Sequence, residues 1–454
     1  MKSNFYASTS TKGNGKKTSE SSPMPRLNEV FGISATVPQY TYVDRSGLDA
    51  QFKYFLGSDR HIVVHGGSKQ GKTILRRKHL PEAESIVIPC APDDTVESIF
   101  KRILANTGAT GLKSISTNSS SEDSLGAEAG GQVGFGFAKL TSKIAAKTNS
   151  ARSNVQVDEA LGTGISVDVV INAIKRSRRR LVVEDFHYLV EPERKKLAYA
   201  LKAFWDARVF VVIVGIWAEQ NLITVYNNDL SGRIEEIDIT WNERELREVV
   251  TKGENALNIR IAPLITEELL RDANANVGLL QRLLEGLCLE SGVLETRAAA
   301  ITIGGGPELD RCRLRVCEAS DRRYFHFANV VGQGFKNPEK TKLKLYRQIV
   351  RVCIELATDD ELTRGIDKVD MLAKVQYFEG DADATNLEKA LVRIDRLQAE
   401  RDIKPPVLSY GEVSRRLLLV DRELLFYRRH SRKPWPWTSG YTEPDEHDGV
   451  DLEA

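Results

Sequence analysis

The stretch "HIVVHGGSKQGKTILRRK", His61 to Lys78, decides how the chain is read. Gly66, Gly71, Lys72 and Thr73 satisfy G-x-x-x-x-G-K-[ST], and the apolar run Ile62-Val63-Val64 is the buried strand that such a loop follows. Glycines let the backbone N–H groups of Gly67, Ser68, Lys69, Gln70 and Gly71 turn inward. They form an anion nest at the N-terminus of the next helix, where the macrodipole adds positive potential. Lys72 is expected to reach the β/γ-phosphates of a nucleotide and Thr73 to place its hydroxyl on Mg²⁺. ATP and Mg²⁺ are therefore the expected ligands.

A second constellation lies about 110 residues downstream, in "RLVVEDFHYL". A strand beginning at Arg180 runs into consecutive acids, Glu184 and Asp185, at its C-terminal end, where ligands bind in open α/β sheets. One carboxylate of such a pair holds Mg²⁺ and the next polarises the attacking water. The expectation is Glu184 on the metal and Asp185 on the water. His187 reads as a structural, half-buried histidine.

The 454 residues suffice for about three domains, and 41% hydrophobic with 28% charged residues marks a globular chain with real cores. No apolar run approaches the roughly 20 residues of a membrane helix, and no signal-peptide core opens the sequence, so a cytoplasmic location is expected. The five scattered cysteines fit a reducing compartment. Only Cys312, Cys317 and His326 approach metal spacing, one ligand short of a closed zinc site. A formal net charge of +1 conceals basic clusters at Lys175–Arg180 and Arg428–Lys433 and an acidic C-terminus, so net charge selects no partner.

Composition and periodicity divide the chain. Residues 1–38 read as a disordered arm and 39–240 as the α/β core, interrupted by a Ser/Gly-rich insertion over 107–164 with a short hairpin near Val133 to Phe137. "VDRSGLDAQFKYFLG", "DDTVESIFKRILANTG" with an N-cap aspartate, "VDVVINAIKRS" and "EPERKKLAYALKAFWDA" read as its helices. "SIVIPC", "RVFVVIVGIWAEQNLI" and "SGRIEEIDITW" read as further strands, the last at the sheet edge. Residues 241–305 show apolar positions at helical spacing throughout and read as a helical lid. Residues 306–339 are expected to connect, and 433–454 to form an acidic tail. Residues 340–432 show three helices and then two extended runs, "PVLSYG" and "RRLLLVDRELLFYRR", the order of a winged helix. In that reading Asn386 to Glu400 is the recognition helix, offering Lys389, Arg393 and Arg396, with Arg415 and Arg416 on the wing. Glu388, Asp395 and Glu400 interrupt its basic face, so duplex DNA and a partner protein both stand as targets of this module.

On "GGSKQGKT", "LVVEDFH" and the helical lid, the chain resembles bacterial AAA+/STAND-type P-loop ATPases of the origin-recognition-like branch over about Tyr40 to Val293. That resemblance implies a parallel-sheet P-loop NTPase core with a lid, ATP hydrolysis, and homo-oligomers whose sites are completed by a neighbour. It also implies two arginines: Arg233, just before the edge strand, as the residue offered to the neighbouring site, and Arg282, in "GLLQRLLEG", as the lid arginine on the γ-phosphate. In additional-strand ATPases a polar group after the third strand senses that phosphate. Glu219, Gln220 and Asn221 are the candidates, and the chain lacks the usual Asn or Thr there.

Overall fold

The computed structural model describes residues 24–45, 47–108, 164–217, 219–335, 344–411 and 414–438. The arm before residue 24, the interior of the insertion with its expected hairpin, and most of the acidic tail lie outside them.

Five short strands form the central sheet: β1 (His61–His65), β2 (Ser85–Pro89), β3 (Arg180–Glu184), β4 (Val211–Val214) and β5 (Ile234–Asp238). Their order is β2-β3-β4-β1-β5, all parallel, so β4 separates the P-loop strand from the acidic strand and β5 takes the edge. Successive side chains point to opposite faces, and both faces are covered. Val63, Val183, Val211 and Ile213 pack under the helices Val96–Asn106, Val167–Ser177 and Glu191–Asp206. Ile62, Val64, Val182 and Val212 face the helices Leu48–Leu56 and Lys72–His79. β1 to β4 are therefore apolar at every interior position rather than alternating, whereas the edge strand β5 carries Glu235 and Glu236. The helix Val96–Asn106 is capped by Thr95, whose hydroxyl accepts the Ser98 N–H, and not by the preceding aspartate.

The lid contains the helices Glu243–Leu257, Pro263–Ala273 and Val277–Glu290 and a small parallel pair, β6 (Ile259–Ile261) and β7 (Ile301–Ile303). Two expected boundaries change here. Leu27–Val30 is a helical turn whose Leu27 and Val30, with Phe31, are buried in the lid, so the N-terminal arm ends earlier than residue 38. The expected connector is a 28-residue helix, Gly306–Gln333, with an apolar stripe from Leu309 through Tyr324 to Val331.

That long helix joins the lid and the C-terminal module into one continuous core. The module carries the helices Leu345–Arg351, Asp359–Arg364, Lys368–Phe378, Ala384–Val392 and Ile394–Glu400, and an antiparallel sheet ordered β8 (Ile366–Asp367), β10 (Arg416–Leu419), β9 (Leu408–Gly411). The expected recognition helix is broken at Arg393. The second extended run also turns out differently: it is strand only to Leu419, then turns at Asp421, whose Oδ1 accepts the Glu423 N–H at 3.3 Å, and continues as the helix Glu423–His430. Trp435 and Trp437, at the head of the expected acidic tail, stack on each other and pack against the module. Among the described residues, no helix is long and apolar enough to cross a membrane.

Gly253 shows how tightly the N-terminal turn is seated. A Cβ there would lie 2.0 Å from the Phe31 ring. Gly253→Ala is expected to expel Phe31 from the lid and destabilise it by about 1–3 kcal/mol, read as a lower urea midpoint. An unchanged midpoint would mean that this turn contributes nothing to the lid.

Candidate nucleotide site

The loop after β1 has the backbone its glycines permit. Gly66 has φ +131° and Gly71 φ +81°, both in the region that side chains disfavour, and a Cβ on Gly66 would sit 2.7 Å from the Ile239 carbonyl. Gly71 caps the helix Lys72–His79. Lys72 turns back under the loop, and its Nζ donates to the carbonyls of Gly67 at 2.5 Å and Gly66 at 3.3 Å. The side chain is only 8% exposed. Burial pushes its pKa down to about 8, against the pull of Asp185 and Asp238. Among the described residues no carboxylate lies within ion-pair distance of it. A buried ammonium held by two carbonyls of its own loop, with no carboxylate against it, fits an anion. Thr73 follows on the same helical turn, and Asp185 and Asp238 are the carboxylates whose charge acts on Lys72. Elsewhere, among the described residues, no three His, Cys, Asp or Glu side chains converge as a metal cage. Cys312 is buried and donates to the Leu283 carbonyl, while an imidazole nitrogen of His326 meets the Arg401 carbonyl.

The two acids after β3 are treated differently. Glu184 Oε1 accepts from Arg76 Nε at 3.0 Å and Nη2 at 2.7 Å, and Arg76 is fully buried on the helix Lys72–His79. Glu184, expected on the metal, is thus engaged in holding the P-loop helix to the sheet. Asp185 has φ +55°; its carbonyl accepts the Tyr188 N–H at 2.9 Å, and its carboxylate has no hydrogen-bond or ion-pair partner among the described residues. Burial, then the neighbouring Glu184, raises its pKa, and Lys72 lowers it. His187 is buried and accepts the Ile216 N–H through Nδ1 at 3.3 Å, with its pKa pushed down to about 3 by burial, so it stays neutral.

Lid and C-terminal module close over the crown of the loop. Asn276 Nδ2 donates to the Ser68 carbonyl at 3.4 Å, and the Gly278 N–H donates to the Lys69 carbonyl at 3.2 Å. The Trp241 indole donates to the Gln70 carbonyl at 3.0 Å and is covered by the Arg45 guanidinium. From the C-terminal module, the Val420 carbonyl accepts the Ser68 N–H at 3.1 Å. Glu423 Oε2 pairs with Lys69 Nζ at 2.7 Å and Oε1 with Arg282 Nη1 at 2.5 Å. Arg282 therefore reaches the loop region, but through a carboxylate. The approach of Val420 and Glu423 has no counterpart in the sequence reading. Asp-x-Glu at the start of an apolar helical run was the available signal.

The remaining candidates lie apart. Arg233 precedes β5 at the end of the sheet where β1 begins, its carbonyl accepting the His61 N–H, and its guanidinium lies over Trp205 at 4.4 Å. It is at the opposite end of β1 from Lys72. Beyond β4, Trp217 stacks on His65 at 5.4 Å, directly below the loop. Glu219 accepts the Ser414 N–H of the wing at 3.0 Å, Asn221 is exposed, and Gln220 lies in a turn. On the module, Arg396 pairs with Glu400 at 2.7 Å, Arg415 with Glu388, and Arg416 donates to the Gly365 carbonyl at 2.7 Å.

No protein-family profile matches the sequence, and no curated protein matches it. Several solved structures are similar in fold. A Walker-type ATPase of Pyrococcus abyssi, 14% identical, aligns over 88% of this chain and 99% of its own with a TM-score of 0.45. Cdc6p of Pyrobaculum aerophilum is 10% identical over 87% of this chain and 95% of its own, TM-score 0.32. The RuvB Holliday junction branch migration motor of Thermotoga maritima is 12% identical over 82% and 89%, TM-score 0.30.

The unequal environments of the two acids give a test. Glu184→Gln leaves Arg76 with Glu82, at 3.1 Å and largely exposed, as its remaining carboxylate, and is expected to cost about 2 kcal/mol, whereas Asp185→Asn is expected to stay within about 0.5 kcal/mol of wild type. Urea unfolding of both variants checks this. Equal losses would contradict the division of roles.

Proposed function

We propose that the chain is an ATP-binding, ATP-hydrolysing switch whose nucleotide state sets the position of its C-terminal module and its assembly with further copies. The observation that carries this reading is the Lys72 ammonium, buried under its own loop on two carbonyls and without a carboxylate partner among the described residues. An ammonium removed from water is stable there if an anion completes its shell. The nest of Gly67 to Gly71 offers the donors for a triphosphate, and Lys72 compensates its β/γ charge.

Bound Mg²⁺ would supply neutralisation of charge developing on the transferred phosphoryl group, with the Thr73 hydroxyl placed to hold it. The Asp185 carboxylate has no ion-pair partner among the described residues. Burial and the neighbouring Glu184 raise its pKa, which makes it a stronger base toward an attacking water that it would orient. Glu184 acts at one remove by fixing Arg76, and with it the helix that presents Lys72 and Thr73. Arg233 lies too far along the sheet to serve its own P-loop, so in this reading it is offered to a neighbouring copy, as a charge for the transition state. Arg282 is the lid cation, reaching the triphosphate after it parts from Glu423.

The pairing of Arg396 and Arg415 with Glu400 and Glu388 favours a protein target over duplex DNA for the C-terminal module, because cations already neutralised displace few counterions from phosphate.

Lys72→Ala is expected to weaken ATP binding by roughly a hundredfold in a calorimetric titration. Asp185→Asn is expected to bind ATP as wild type does and to lose turnover by about 10²–10⁴. Wild-type affinity in the Lys72 variant would refute the nucleotide reading.

A further inference from the structure

The turn Val420–Glu423 is the place where the C-terminal module meets the P-loop, and its chemistry is that of an anion. Glu423 is 2% exposed and divides its two oxygens. Oε2 takes Lys69 Nζ at 2.7 Å; Oε1 takes Arg282 Nη1 at 2.5 Å and the Ser320 hydroxyl at 2.6 Å. The Val420 carbonyl holds the Ser68 N–H, one of the nest amides. Asp421, between them, is fixed from behind by Arg323 Nη2 at 2.8 Å and the Tyr324 hydroxyl at 3.1 Å, both from the long helix Gly306–Gln333. The same module touches the loop after β4 through Ser414 and Glu219. One carboxylate and one carbonyl from the C-terminal module thus occupy a P-loop lysine, the lid arginine and a P-loop amide.

We infer that Glu423 is an internal acidic latch, a carboxylate that holds the C-terminal module on the P-loop by pairing with Lys69 and by taking the lid arginine, while Val420 takes a nest amide, both of which a nucleoside triphosphate needs, so that triphosphate binding and latch closure exclude each other. This rests on the nucleotide reading above and adds the element that the nucleotide moves. Two anions compete for the lid arginine. With the triphosphate engaged, Glu423 is left buried with Lys69 for its single cation and facing like charge, and the lower-energy arrangement places it in water. The module carries it there, releasing Val420 from Ser68 in the same movement. Burial opposes the charged form, but Lys69 and Arg282 outweigh it and hold the Glu423 carboxyl well below the usual carboxylate range, so the latch does not open by protonation near neutrality.

The test uses the full chain, with adenylyl imidodiphosphate and Mg²⁺ as the probe. Amide hydrogen exchange is followed over residues 416–430, and affinity by calorimetry. In wild type the analogue is expected to speed exchange of this segment at least tenfold, because contacts that protect it are lost. Glu423→Gln is expected to exchange fast without nucleotide and to bind the analogue roughly tenfold tighter, having no closed state to overcome. Should that variant fold poorly, Lys69→Met removes the partner on the loop side and must show the same loss of protection without nucleotide; retained protection there overturns the latch. If wild type binds the analogue with unchanged exchange and Glu423→Gln binds no tighter, the latch is wrong and the nucleotide site stands. If neither protein binds the analogue, the nucleotide reading fails and the latch falls with it.

Discussion

An ammonium group held out of water is the constraint around which this molecule is arranged. Lys72 lies under the loop that it terminates, with two backbone carbonyls for partners. Keeping it there requires a strand that ends at the right place, glycines at Gly66 and Gly71 that accept positive φ, and a helix whose first turn fixes the Lys72 backbone. The sheet supplies the strand end, with β4 and β5 on either side of β1. Arg76 and Glu184 supply the helix position, as an ion pair with its arginine fully buried that crosses from the loop helix to β3.

Charge also governs what lies over the loop. Lys69 and Arg282 approach from the loop and the lid, and a carboxylate from the C-terminal module balances both. Because the long helix Gly306–Gln333 is built into the core of the lid and of the module alike, a shift at Glu423 bears on both. The three parts of the chain are thereby joined at the loop by side chains of opposite sign rather than by apolar contact alone. An interface held by charges responds to an incoming anion in a way that an apolar one does not.

Much of this was legible in the residues. The loop, its strand, the acidic strand and the lid helices follow from glycine spacing and from periods of 2 and 3.6, and those are local properties. What the residues leave open depends on tertiary partners. Glu184 and Asp185 are adjacent acids on one strand end, and the buried Arg76, contributed by another element, gives them different surroundings. "RRLLLVDRELLFYRR" is apolar enough for a continuous strand; the turn at Asp421 is set by Arg323 and Tyr324 from a helix about a hundred residues earlier. The long helix, expected as a connector, interrupts its apolar stripe with "DRRYFHF", whose Asp321, Arg323, Tyr324 and His326 find partners in the C-terminal module.

The central claim is that Lys72 is the cation for a bound triphosphate, and proton uptake on binding tests it most directly. Free, the buried ammonium titrates near 8; with phosphate against it the charged form is favoured, so above that pH binding must draw a proton from solution and affinity falls as pH rises. ATP with Mg²⁺ titrated into the protein at pH 8.5, in two buffers of different ionisation enthalpy, is expected to show net proton uptake that shrinks as the pH is lowered through neutrality. Binding whose heat is independent of buffer at pH 8.5, or that releases protons, would contradict the account.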